Sequence, residues 1–385
     1  MKGIAVLRKV SLPSWACLGL TALLCFAWFL PTKHYHQAII ALLWLPVIPA
    51  LFRADFRAAL KQPELALFGL FMAWTWLVLA IKGSDDLIGD YKVTLYVTLS
   101  LLGIVLASQA RIRIETWLFG AALFGGVLSL ASVAHFLLNP PPFGRVVALG
   151  VWNTAIMAAH AVGALALLAY FLRPTQRLPM WQLGLLAVAA LGYVGFLVVN
   201  QTRGVWLALI LTFVVMVVAL RSRRGYALIA LGVTAIAVVA VVCPDVLTQR
   251  GASARPTLWA GGLNLMLGNG VLGYGFNEYG IFVPELNRTF KHPHNLFLNI
   301  GAREGVIGLA LYLMLWVSVA WRAWRNRTAP LGQAVLAIWV FATVSLMTDG
   351  IGVWLKPNAD WLVTWLPIGL SLVLASRKLG QPKSV

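Results

Sequence analysis

The chain has 385 residues, 61% hydrophobic and only 11% charged, with a mean hydropathy of +0.85 and a formal net charge of +18. Soluble domains carry about 25% charged residues, so the composition excludes an ordinary soluble domain and reads as an all-α polytopic integral membrane protein. The basic residues fall in short clusters between apolar runs, which fits topology signals and argues against a nucleic-acid partner.

The opening MKGIAVLRK followed by a long apolar run reads as a first membrane helix, because no small-residue cleavage site precedes another span. From there twelve transmembrane helices are expected, at about 13–30, 37–52, 63–81, 91–109, 114–138, 150–172, 181–199, 204–220, 226–243, 294–320, 331–348 and 361–376. This divides the chain into spans one to nine (1–243), a large polar loop (244–293), and spans ten to twelve with a tail (294–385). Alternate loops sort by charge. One set, with both termini, holds 19 of the 30 basic residues and only three acids, Asp55, Glu64 and Glu115. By the positive-inside rule this face is cytoplasmic, with both termini on it, so the large loop lies on the opposite side of the membrane. Loops on the cytoplasmic face are short, no G-x-x-x-x-G-K-[ST] phosphate loop occurs, and no repeat of 20–50 residues stands out. Cys17, Cys25 and Cys243 lie in apolar runs with no pair at metal spacing, so neither disulfide, metal nor cofactor is expected.

The opposite face carries basic residues that work against the topology rule. Lys82 and Lys92 flank an acidic hairpin, Arg145 follows the rigid NPPPFG turn, and Arg203 stands in NQTRG at the edge of a span. A single such arginine suits a lipid headgroup or a solvated loop; several converging on one face suit an anionic ligand. Within the large loop, Ser253 with Pro256 ahead of LWAGGLNLML predicts a capped, short amphipathic helix. Arg255 then lies at its positive end, where an anion is welcome. Gly268-Asn269-Gly270 ends that helix, and Gly273-Tyr274-Gly275 permits a tight turn or a close approach. Pro293 reads as a first-turn residue of the tenth span, with His294 and Asn295 at the helix N-terminus. A histidine there stays neutral near pH 7 and can act as a general base, or can simply bond a loop carbonyl. Asn295, Asn299 and Arg303 recur at spacings of four and share a face; beside them Glu304 is a further ionisable group deep in an apolar run.

His294-Asn295, nine residues, Gly305, two residues and Gly308 resemble the H-[NSQ]-x9-G-x-x-G motif of the O-antigen ligase family, and Arg203 with Leu207 resembles its R-x3-L motif. The span count and the one large loop before span ten fit the same family, which belongs to a superfamily with O-antigen polymerases and bacterial O-oligosaccharyltransferases. The resemblance implies a GT-C-like glycosyltransferase fold. It also implies transfer of O-antigen from undecaprenyl pyrophosphate to lipid A-core, with membrane lipids around it and no metal or nucleotide. In that reading His294, Arg203 and Arg255 are catalytic, with His294 deprotonating the acceptor hydroxyl and the arginines taking the pyrophosphate. Arg145 and Arg288 are further contacts to substrate, and Asn295 and Arg303 orient the site. His292 and Asp349 stay outside this core set, and Lys82, Lys92 and Lys356 are assigned by charge to the phosphorylated acceptor. A polymerase, an oligosaccharyltransferase and a transporter of lipid-linked glycans are the competing readings.

Overall fold

The structure is a computed structural model that describes residues 11–141, 144–152, 154–242 and 254–379. Its helices are α1 Leu12–Cys25, α2 Thr32–Ile39, α3 Val47–Ala50, α4 Ala54–Ala59, α5 Pro63–Lys82, α6 Leu87–Ala107, α7 Ile114–Leu138 and α8 Ala155–Phe171. They continue with α9 Met180–Asn200, α10 Arg203–Leu220, α11 Arg223–Val242, α12 Arg255–Asn269, α13 Leu296–Arg325, α14 Pro330–Thr348 and α15 Trp365–Leu379. Among the described residues, eight helical stretches are long and apolar enough to cross a bilayer, and two apolar helices, Leu12–Trp28 and Ala155–Phe171, are shorter.

Where residues are described, the expected spans overlap helices, although the sixth turns helical only at Ala155, and three are interrupted. The second is broken: α2 passes through a π-turn at Ile40–Trp44 into the four-residue α3, with Pro46 and Pro49 removing ladder donors. The last begins as a 3-10 turn, Ala359–Leu362, ahead of α15. The tenth, α13, is interrupted at Gly305, whose φ of 71° lies in the left-handed region.

That interruption explains the glycines of the histidine motif. With its helical bonds broken, α13 leaves carbonyls to satisfy, and the loop after α12 docks there: Tyr274 N–H donates to Ala302 O at 2.7 Å and Gly275 N–H to Arg303 O at 2.9 Å. A Cβ on Gly305 would fall 2.0 Å from Val271 O, so no other residue fits the junction. Small residues act similarly elsewhere. Gly126 of α7 and Gly192 of α9 let the two backbones touch, since a Cβ on Gly192 would sit 2.0 Å from Gly126 O.

Ion pairs join loops that the charge pattern groups together. Glu64 pairs with Arg322 at 2.6 Å, and Glu115 pairs with Arg377 at 2.7 Å and Arg113 at 3.1 Å, tying together loops from the basic set. On the other face the hairpin between α5 and α6 meets the large loop, where Asp85 accepts from Glu278 N–H at 2.9 Å. The all-α expectation needs one amendment: the large loop also carries a two-stranded hairpin, β1 Ile281–Val283 antiparallel to β2 Arg288–Phe290. Its inner residues Ile281 and Val283 pack with Leu258 and Tyr279 in a small apolar cluster that holds the loop together.

Candidate active site

Three helix N-termini meet at the C-terminal end of α14, around Thr348, Asp349 and Gly350. The first is that of α10. Gly204 lies so close to Thr348 that a Cβ there would meet its Oγ1 at 2.4 Å, which puts the neighbouring Arg203, the first residue of α10, at this junction. The second is that of α12, whose first residue Arg255 donates through Nε to Thr348 O at 2.7 Å. The third belongs to α13: Gly350 packs against the backbone of Leu296, leaving only 2.8 Å between its would-be Cβ and Leu296 N. Helix N-termini present unsatisfied N–H groups and partial positive charge, so this convergence suits an anion before any arginine is counted.

His294 stands at the same point. Its Nδ1 lies 2.6 Å from Asp349 Oδ1, with side-chain exposures of 27% and 13%. A carboxylate at Nδ1 fixes the tautomer with Nδ1–H donating, which turns Nε2 into the acceptor. Nε2 makes no hydrogen bond among the described residues. Burial works against the Asp349 charge, yet the hydrogen bond from His294 and the nearby imidazoles hold its carboxyl below the usual aspartate value. The edges of two rings complete the histidine's setting: Phe290 at 5.6 Å and His292 at 4.1 Å between centroids. Burial, reinforced by the neighbouring His294, pushes the His292 imidazole down to about 4, so His292 is neutral near pH 7.

Several expectations are corrected here. Pro293 and His294 do not begin the helix; α13 starts at Leu296 and His294 takes a left-handed φ of 50° just before the cap. The histidine is therefore oriented by Asp349 rather than by membership of the first turn. Asp349 is the partner that the spacing did not pick out; its signal was a lone acid at the end of an apolar run. Asn295 is the N-cap, its side chain accepting from Leu298 N–H at 3.1 Å, so it shapes the helix start next to His294. Arg303 lies two turns further along, its Nη1 3.5 Å from both Gly275 O and Asn277 O and its guanidinium 5.1 Å from the Tyr279 ring. Arg288 is exposed on β2 with its guanidinium over Phe290 at 5.2 Å, one ring removed from His294. Ser253 lies outside the described residues; α12 starts behind Ala254 without a side-chain cap.

Arg145 is brought close but indirectly. It donates to Asn200 O at 3.0 Å and to Thr202 Oγ1 at 2.7 Å, bracing the turn that launches Arg203. Asn200 is fully buried and donates to Val146 O at 2.8 Å and Ala155 O at 2.9 Å, locking the same turn onto the start of α8. Arg203 itself is exposed and makes no side-chain bond among the described residues.

Fold and site together define a multi-pass helical membrane protein with a histidine–carboxylate pair and arginines collected at helix ends under a folded loop. Comparison with known proteins shows what the chain is similar to. The family model described as O-antigen ligase matches residues 188–313, the stretch that carries Arg203, Arg255 and His294. The chain is also 26% identical to the O-antigen ligase of Pseudomonas aeruginosa strain PAO1 over 364 residues, which is 93% of this chain and 90% of that protein. Both comparisons support the chain as an O-antigen ligase family member.

Proposed function

We propose that this protein is an O-antigen ligase of the inner membrane, moving O-antigen from undecaprenyl pyrophosphate to lipid A-core on the periplasmic face. The family comparisons support O-antigen ligation or polymerisation, a glycosyltransferase-type activity. The observation that carries the finer reading is the 2.6 Å His294–Asp349 pair set where α10, α12 and α13 point their N-termini.

The acceptor hydroxyl gives its proton to His294 Nε2 as its oxygen attacks the anomeric carbon of the donor. The bond from that carbon to the pyrophosphate oxygen breaks, and its electron pair leaves with the lipid pyrophosphate. One glycosidic bond replaces one phosphoester bond with inversion, and Asp349 stabilises the imidazolium that forms. Charge growing on the leaving group falls near Arg203, Arg255 and the helix N-termini, fixed before the reaction and needing no reorganisation. Arginine's planar fork matches paired phosphate oxygens, which a lysine does not. Arg145 contributes by holding the Arg203 turn.

The test uses purified protein in detergent with an undecaprenyl-pyrophosphate glycan, lipid A-core and excess EDTA, read as a gel ladder. Glycan appearing on lipid A-core, and lost in both His294→Ala and Arg203→Ala, is the expected result. A lengthened donor glycan would assign the activity to a polymerase instead, and a requirement for divalent metal would overturn the arginine-based account of the leaving group.

A further inference from the structure

A separate cavity of about 200 Å³ lies along α13 from the His294–Asp349 pair. Its walls come from four places: Asn299, Ile300, Arg303 and Glu304 on the first half of α13, the 351–355 strap after α14, Phe276 of the large loop, and Asp90 of α6. Asn299 and Arg303 follow the helix start by one and two turns, so at 1.5 Å per residue the cavity lies roughly 6–12 Å from the reacting histidine. It shares both α13 and the strap beyond Asp349 with that centre. Charge neutralisation at the reaction does not use it.

We propose that this cavity binds one sugar ring of a glycan engaged at the active site. The inference rests on the reading of the protein as a glycosyltransferase and adds where a saccharide unit is selected. A sugar ring has apolar C–H faces and a rim of hydroxyls, and the walls offer both kinds of surface. Phe276, Ile300 and Val353 supply the apolar part. The polar part keeps bonding capacity. Glu304 accepts one bond at each oxygen, from Thr75 at 2.6 Å and from Trp354 at 3.1 Å, and each oxygen retains a second lone pair. Asp90 accepts from Ser84. Arg303, a five-donor group, makes only two bonds at the 3.5 Å limit.

The same inventory rejects other occupants. The Asp90 carboxylate works against a pyrophosphate, the guanidinium repels a metal cation, and four polar side chains make a poor bed for a lipid tail. What remains is a neutral polyhydroxyl ligand about the size of the space. It can come from the donor glycan or from the acceptor core.

Gly352 gives a direct way in. It lines the cavity, its φ is not left-handed, and a Cβ there meets only Asn299 Nδ2 at 3.5 Å, an ordinary contact. Gly352→Leu therefore fills the space without forcing the backbone. The experiment measures ligation kinetics for wild type and Gly352→Leu, varying donor glycan and lipid A-core separately, with Tm as a check on folding. The expected result is a KM at least tenfold higher for one of the two substrates and kcat within about threefold. The substrate affected identifies the source of the sugar. Asp90→Asn, which keeps the bond from Ser84, is the second variant and should raise the same KM several-fold, so the test stands even if the leucine variant is unstable. Wild-type KM values for both substrates in a folded variant overturn the pocket and mark it as a water-filled cavity only. If wild type transfers no glycan at all, the functional reading falls, a result distinct from the failure of the pocket.

Discussion

Among the described residues there are two histidine–aspartate pairs, and one of them stands at the candidate site. His294 and Asp349 approach to 2.6 Å with side-chain exposures of 27% and 13%. His160 and Asp360 lie 3.3 Å apart and are almost sealed, at 2% and 4%. Both pairs grip the same strap, the 349–364 stretch between α14 and α15. The first joins a residue outside any helix to the strap's beginning; the second joins the interior of α8 to the 3-10 turn at its end. Chemically the pairs are alike, so the difference lies in surroundings. Helix N-termini, arginines and an open Nε2 surround the first, whereas apolar core surrounds the second. A histidine–carboxylate pair becomes a base when a substrate can reach it and a staple when nothing can.

Breaking the open pair should produce the largest effect. His294→Ala should lower kcat by about 10²–10⁴-fold, the usual worth of one general base, with little change in Tm because the ring is part-exposed. Asp349→Asn keeps the imidazole but loses the carboxylate that sets its tautomer and stabilises the imidazolium; a loss of about 10–100-fold in kcat with nearly constant KM is expected. Equal loss in both substrates' KM and none in kcat would reduce Asp349 to a packing residue. Arg203→Lys should cost about tenfold in kcat, since a point charge replaces a fork at an exposed, already electropositive helix end.

Breaking the sealed pair should do the reverse. His160→Phe leaves a buried carboxylate without its partner, at a cost of about 3–5 kcal/mol by analogy with other broken buried pairs. Folded protein should still turn over within about threefold of wild type. A kcat loss as large as that of Asp349→Asn, at unchanged Tm, would show that the two pairs act together.

How much of this was legible in the chain differs between the pairs. The apolar runs were sufficient to foretell an all-α, many-helix membrane protein, because membrane burial acts on composition alone. His294, Arg203 and Arg255 were likewise visible as polar residues at the edges of such runs. Asp349 was not assigned, since its partner lies 55 positions away and only the crossing of α13 and α14 brings the two together. The spacing of Asn295, Asn299 and Arg303 left their surroundings open for another reason. Periodicity places residues on one face but says nothing about what covers each turn of it, and here the large loop covers the second turn while α14 covers the start. The helix break at Gly305 was hidden too, because a glycine inside an apolar run also reads as simple close packing.

The smallest effect concerns His292, the ring beside the open pair. Its imidazole is held down at about 4, against an ordinary value of 6.5, by burial first and by His294 second. The folded protein therefore binds this proton less readily than the unfolded chain does. Between about pH 6.5 and pH 4 the unfolded chain takes it up first, so stability falls as pH is lowered through that window and is fully restored above it. Asp349 adds to the trend at the acid end: its depressed value means its contribution is present above the usual aspartate range and is lost on going below it. His292→Phe, a neutral ring of similar shape, should flatten the Tm-against-pH curve between pH 6.5 and 4 while leaving Tm at pH 7.5 nearly unchanged. An unaltered slope would mean that the steepness comes from other groups and that His292 is not held neutral by its neighbour.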